Sequence, residues 1–270
     1  MLESIHRVRY PSVLATRPLG PRFCDPDDDL FDPLKAAIVS QRSGQVDEAF
    51  WLIFLFVHFG KHRRGGWRIA REIYGKLGTG GRWDWATVSS NPTAFRNWLR
   101  ANQPRLRRPG SGFGNHRKYQ SMDADSPAGT GAVVESYVNW VHPPRTHNAM
   151  VHAAVARASG DRRESFRFLY QEMDAVVGFG RTARFDYLTM LGKLALAPIE
   201  PDSAYLAGAT GPLSGAKLLF AVNAHAALSR KDLEAWILDL DATLNVGMQV
   251  WEDALCNWQK SPNAFLPFRG

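Results

Sequence analysis

Apolar positions along the chain recur with a helical period rather than alternating, and they do so in blocks separated by Gly, Pro and Asp. Leu34–Ser43, Val46–Phe59 and Trp67–Leu77 form a first group of predicted helices, and Pro92–Ala101 adds a short one with proline in its first turn. Asp47 near the start and Gly60 at the end punctuate the second helix. The later blocks are Ala132–Val141, Thr146–Ala158, Arg162–Val177, Thr182–Leu196, Gly215–Leu219, Lys231–Leu244 and Val246–Trp258. Period-two alternation is scarce, which predicts an all-α fold. At 270 residues the chain suits one large domain or two small lobes sharing a cleft.

Two stretches escape the pattern. Residues 1–33, rich in Pro, Asp and Arg, are expected to form an irregular arm, and residues 103–129 a long basic loop. Loops of that length inside a compact domain are uncommon and are often functional. The longest apolar run, Ala49–Phe59, is too short to span a bilayer and ends in Gly60-Lys61-His62-Arg63-Arg64, so it reads as a buried helix.

Composition narrows the partners. Lys and Arg number 33 against 26 Asp and Glu, a formal charge of +7 that suits a polyanion. Cys24 and Cys256 have no metal-ligand spacing, and the N-terminus lacks a signal-peptide core. The expectation is a cytoplasmic, monomeric protein without disulfide, membrane segment, metal or cofactor. His116 has no second ligand at metal-binding spacing.

The most informative segment runs from Phe168 to Leu206. A helix is predicted to end at Val177, Gly178-Phe179-Gly180 to make a tight hairpin, and Arg181 and Thr182 to open the next helix, giving a helix-hairpin-helix over about 162–196. Glycines let a phosphate approach the backbone, the amides of the new helix point toward it, and Arg181 and Arg184 add charge. A plain helix–helix turn is the alternative. In the basic loop, Arg105, Arg107, Arg108, Arg117 and Lys118 are candidate phosphate contacts, and His116 and Tyr119 are candidates to stack on or bond to a base. The last helix offers Glu252, Asp253 and Asn257 as candidate pocket residues, beside Trp251 and Trp258. Those carboxylates could equally face solvent on a helix docked by its tryptophans.

Gly-Phe-Gly-Arg-Thr-Ala at 178–183 resembles the hairpin of the helix-hairpin-helix DNA glycosylases, although the glycosylase pattern has one more residue before Thr-Ala. In that superfamily an aspartate follows at the start of another helix. Asp202, 24 positions after Gly178 (202 − 178), stands in the corresponding place within Pro201-Asp202-Ser203-Ala204-Tyr205-Leu206. Read without the resemblance, Asp202 is a helix N-cap, and one side chain can fill both roles. A resemblance over most of the chain, carried by 113–119, 178–191 and 249–260, is to the alpha-glutamyl/putrescinyl thymine pyrophosphorylase family, clade 3.

These resemblances imply DNA as the partner, in particular phage DNA with modified bases. They also imply two helical lobes around a cleft, and Asp202 as the catalytic carboxylate. The leading expectation is a glycosylase that flips out a bulky modified pyrimidine, such as glucosylated hydroxymethylcytosine, and leaves an abasic site in antiphage defence. Arg181 and Thr182 stand where lyase-competent glycosylases carry a lysine, which implies a monofunctional enzyme; Lys193, farther along, reads as a solvated surface lysine. The alternatives are a transferase that joins an amine or amino acid to an activated hydroxymethyl pyrimidine in DNA, releasing pyrophosphate, and a DNA-binding module without chemistry.

Overall fold

The computed structural model describes residues 1–107, 112–114, 120–141 and 146–264, and its described residues form helices and no named strand. The all-α expectation therefore holds. Its axis is α3 (Val46–Phe59), whose bounds match the predicted ones. Residues Ala49 through Leu55 are each at most 1% exposed, so this helix is buried on every side. Around it pack α2 (Pro33–Arg42), α4 (Arg68–Tyr74), α5 (Trp85–Ser90), α8 (His147–Arg157) and α10 (Arg181–Lys193). Helix α2 starts sharply because Asp32 accepts hydrogen bonds from the amides of Leu34 and Lys35 at 3.0 and 3.2 Å, with Pro33 in its first turn.

Helix α6 (Pro92–Leu106) pairs with α7 (Thr130–Val141), and α9 (Arg162–Glu172) with α8 and α10. The C-terminal part contains α11 (Gly211–Ala221), α12 (Arg230–Leu244) and α13 (Met248–Trp258). Buried apolar residues fall into two clusters, one from Leu14 to Ile199 and a smaller one from Ala204 to Leu255. Helices α11 and α13 approach so closely that a Cβ on Gly215 would lie 2.3 Å from the carbonyl oxygen of Leu255.

Several expectations need correction. The first part of the N-terminal arm is helical rather than irregular: α1 (Leu2–Leu14) packs on α13 and α10. Its buried positions are Ser4, Pro11 and Leu14, so the face it turns inward is not marked by an apolar stripe. Helix α6 continues through Pro104 to the fully buried Leu106, which shortens the basic loop at its start. Helix α5 forms between the predicted helices Trp67–Leu77 and Pro92–Ala101, where no helix was assigned, capped by Asp84 on the amide of Thr87 at 2.8 Å. Helix α9 stops at Glu172 and passes into a 3-10 turn over Met173–Ala175 instead of reaching Val177.

Polar groups enter the core in an ordered line. The carboxylate of Asp47 accepts from the amide and Nδ1 of His147 at 3.0 and 2.7 Å. With Nδ1 donating, Nε2 accepts from the Tyr137 hydroxyl at 2.7 Å, which lies 2.8 Å from the Tyr187 hydroxyl. His147, Tyr137 and Tyr187 are wholly buried, so each bond satisfies a group that water cannot reach. Beside this line, Glu48 accepts from the Tyr74 hydroxyl at 2.8 Å and the Trp85 amide at 2.6 Å. Burial outweighs those two bonds and raises its carboxyl from 4.5 to about 7.

The native state thus retains a proton on Glu48 that the unfolded chain releases. That stabilising contribution is complete below about 4.5 and is lost as pH rises through about 7. In urea unfolding followed between pH 5 and 7, Glu48→Gln should therefore flatten the decline of stability with pH. A variant with the same slope as the parent protein would assign that slope to other groups.

Candidate functional site

The hairpin forms as expected, and its two glycines do different things. Gly178 has φ of +70°, the left-handed region that glycine enters most easily. Gly180 has φ of −68° and ψ of −171°, which any residue can adopt, and a Cβ added there would meet nothing within 4 Å. Neither backbone nor packing requires glycine at 180. Gly180 is also the N-cap of α10 with no side-chain cap, and Gly178, Gly180 and Thr182 are exposed. The positive end of the α10 dipole therefore opens to solvent with an unobstructed approach. Phe179 points the other way, 2% exposed, with its ring stacked on Phe54 of α3 at 5.2 Å.

The two arginines of the hairpin face inward to protein partners. Arg181, its side chain only 9% exposed, donates to the carbonyls of Tyr205 and Ala204 at 2.8 and 2.6 Å and pairs with Glu252 at 2.5 Å. Arg184 lies over the Tyr170 ring and pairs with Asp174 at 2.8 Å. Arg181 thereby ties the hairpin helix to the 202–205 loop and to α13.

Asp202 lies in that loop, at the seam between the two apolar clusters, and is half-buried. No helix begins there, which corrects both the expected helix start and the N-cap reading; the next helix is α11 at Gly211. The reason is local. The Asp202 carboxylate accepts from the Tyr205 hydroxyl at 2.7 Å, and Tyr205 adopts φ of +49°, which interrupts a helix. Asp202 Oδ2 has no hydrogen-bond partner among the described residues. Tyr205 is in turn fixed by its ring on Tyr170 at 4.0 Å, and the Leu206 amide donates to Glu234 at 2.7 Å. Burial, reinforced by the bond to Asp202, pushes the Tyr205 hydroxyl well above its usual range, so it stays a donor.

The remaining candidates divide. Glu252 joins the site through Arg181. Asp253 turns toward α1, pairing with Arg7 at 2.9 Å, and the exposed Asn257 donates to Asp253 at 3.2 Å. His116, Arg117, Lys118, Tyr119 and Arg108 lie outside the described residues. Arg107 pairs with Asp123 at 3.4 Å. Lys193 is not a solvated surface lysine. Burial lowers its ammonium to about 8, against the opposing pull of Asp186 and Asp253.

Tyr205, Tyr170 and Glu234 escaped the sequence reading. Only Tyr205, three positions after Asp202, carried a local signal. Among the described residues no three His, Cys, Asp or Glu side chains group as a metal site, and no helix is long and apolar enough to cross a membrane.

The sequence model of the family described as alpha-glutamyl/putrescinyl thymine pyrophosphorylase clade 3 matches residues 1–270. No curated protein and no solved structure matches the chain.

The geometry around Arg181 yields a stability prediction. Arg181→Ala would strand the Glu252 carboxylate and two loop carbonyls, and should cost about 3 kcal/mol, the usual penalty for breaking a buried pair from one side. Chemical denaturation measures it; a loss under about 0.5 kcal/mol, typical of a surface substitution, would show the guanidinium is not a structural tie.

Proposed function

Because the chain belongs to the alpha-glutamyl/putrescinyl thymine pyrophosphorylase clade 3 family, we propose that it is an enzyme acting on a modified pyrimidine base in DNA, and that it transfers an amine or amino acid onto an activated hydroxymethyl pyrimidine. The family match over the whole chain carries this reading. The +7 charge and the open α10 N-terminus at Gly180 support a DNA substrate.

The chemistry follows from the groups at the seam. A base within a duplex is inaccessible and is rotated out first. Backbone amides at Gly180–Thr182 hold a phosphate of the flanking strand without reading sequence. The bond between the base methylene and the pyrophosphate oxygen breaks, pyrophosphate leaves with the electron pair, and the incoming nitrogen forms the new C–N bond. Its proton passes to Asp202, oriented by the Tyr205 hydroxyl at 2.7 Å.

A second reading uses the same carboxylate for excision. It is favoured by the connection of the Asp202 loop to the hairpin through Arg181, which brings that loop against the start of the hairpin helix. Asp202 would then stabilise positive charge developing on the sugar, releasing a bulky base from phage DNA as antiphage defence. Arg181 and Thr182 in place of a hairpin lysine imply an intact strand with an abasic site. Mass spectrometry after incubation with hypermodified and normal phage DNA separates the readings. A heavier nucleoside marks transfer, and a free base marks excision.

Two variants test the shared part of both readings. Asp202→Asn keeps the acceptor for Tyr205 and removes the charge, so turnover should fall by about a hundredfold or more while folding and DNA binding persist. Near-parent turnover would move the chemistry to another carboxylate. Gly180→Val should remain folded, since nothing surrounds the added side chain, yet bind DNA weakly because the valine obstructs the helix terminus. Unchanged affinity in a folded variant would make the hairpin a plain helix turn.

A further inference from the structure

The segment that follows α3 carries positive charge that nothing described so far uses. Gly60 ends the helix with φ of +65°, and the chain then closes on itself. The His62 amide donates to the Gly66 carbonyl and the Gly66 amide to the His62 carbonyl, both at 2.9 Å, while His62 Nδ1 accepts from the Gly65 amide at 3.0 Å. The result is a cross-braced turn whose Lys61, Arg63 and Arg64 side chains are exposed and have no ion pair or hydrogen bond among the described residues. The turn borders a cleft of about 460 Å³. Five cations, Lys35, Lys61, Arg64, Arg68 and Arg71, line it against two carboxylates, Asp29 and Asp32. Both carboxylates are engaged, Asp29 by Arg71 and Asp32 by the Trp67 indole at 3.1 Å and the α2 amides. Arg71 and Arg68 are paired with Asp29 and Glu72, so among the described residues the unpaired cations at the cleft are Lys35, which lies over the Phe23 ring, and Lys61 and Arg64 of the turn.

Its position is as telling as its charge. The Phe179 ring of the hairpin lies 6.4 Å from that of His58, which lies 5.5 Å from Phe113, which stacks on Phe59 at 5.6 Å. The residue after Phe113 is pressed on the turn: a Cβ on Gly114 would sit 2.1 Å from the Lys61 carbonyl carbon, and the Gly114 amide donates to Phe59 at 2.7 Å. Farther along the same segment, Gln120 reaches to within 3.9 Å of where a Gly178 Cβ would be. The hairpin and the basic turn are thus joined by one continuous layer of contacts over the C-terminal end of α3.

We propose that the Lys61–Gly66 turn is a second phosphate-binding element, which takes the DNA backbone beside the nucleotide served at the hairpin; this rests on the reading of the protein as a DNA enzyme. A rigid turn suits the task, because its cations lose little backbone freedom on binding. The same cations would accept a free anion such as pyrophosphate, so the test must separate strand from small ion.

The experiment compares the parent protein, K61Q/R63Q/R64Q and Gly180→Val. Each is titrated with fluorescent duplex DNA across a salt series and with inorganic pyrophosphate by calorimetry, and circular dichroism confirms folding. The triple variant should reduce the slope of log affinity against log salt by about 2–3, at about 0.9 per phosphate contact, with pyrophosphate affinity unchanged. A triple variant that keeps the parent slope, while Gly180→Val weakens DNA binding, overturns this proposal alone. Loss of pyrophosphate binding with the DNA slope intact overturns it in favour of a small-anion site. A parent protein whose DNA affinity is absent or independent of salt overturns both this proposal and the DNA reading.

Discussion

The buried guanidinium of Arg181 is the tie on which the candidate site depends. It stands at the first position of α10, immediately after the hairpin, and reaches two carbonyls of the Asp202 loop and the Glu252 carboxylate of α13. Three acceptors on one planar group fix distance and orientation together, which a lysine ammonium would do less well. The loop they hold contains Tyr205 in a left-handed conformation, which costs energy for a bulky residue and persists only where its surroundings over-determine it. Arg181 from one side, the Tyr170 ring from another and Glu234 from a third supply that over-determination. Asp202 gains a fixed position as a result, without needing the helix start expected for it.

Helix α3 provides the rigid body against which this arrangement is built. Its wholly buried middle means that the helices around it meet on one set of close-packed side chains. Phe54 stacks on both Phe179 and Tyr137, so the hairpin is seated on the same ring that packs the end of the Asp47–His147–Tyr137 line. The exposed glycines of the hairpin therefore rest on a close-packed base, which favours a binding surface that is formed before its ligand arrives.

How much could be read from the sequence depended on the range of the interactions involved. Helix α3 was legible to the residue because its apolar run and the Gly60 stop are local signals. The hairpin was legible for the same reason, since Gly178 is the residue its backbone demands. Helix α1 was not, because it turns Ser4 and Pro11 inward and is held by Arg7 on Asp253 across 246 positions. The role of Arg181 was misjudged in the same way. A cation beside a hairpin invites a phosphate, and only the fold reveals that Glu252, 71 positions later, has already taken it. Asp202 was expected to accept from backbone amides, and its partner proves to be the Tyr205 hydroxyl.

The internal pairing of these arginines changes the electrostatics of any DNA complex. Arg181 is neutralised by Glu252 and Arg184 by Asp174, so the side chains at the hairpin contribute little net charge. What remains there is the partial charge of a helix terminus, equivalent to about half an elementary charge and effective only within a turn. That suffices to orient one phosphate but is a weak source of long-range attraction. The excess of +7 must therefore act from elsewhere on the surface. The exposed cations of the Lys61–Gly66 turn, one layer of packed rings away, are well placed to contribute. On the proposed reading the labour would be divided, with distributed cations gathering the polyanion and a nearly neutral hairpin setting its register. Such a division also protects the chemistry. A dense cluster of cations at the seam would engage the Asp202 carboxylate, whereas paired arginines leave its Oδ2 without a partner among the described residues, open to the group that the proposed reaction would bring to it.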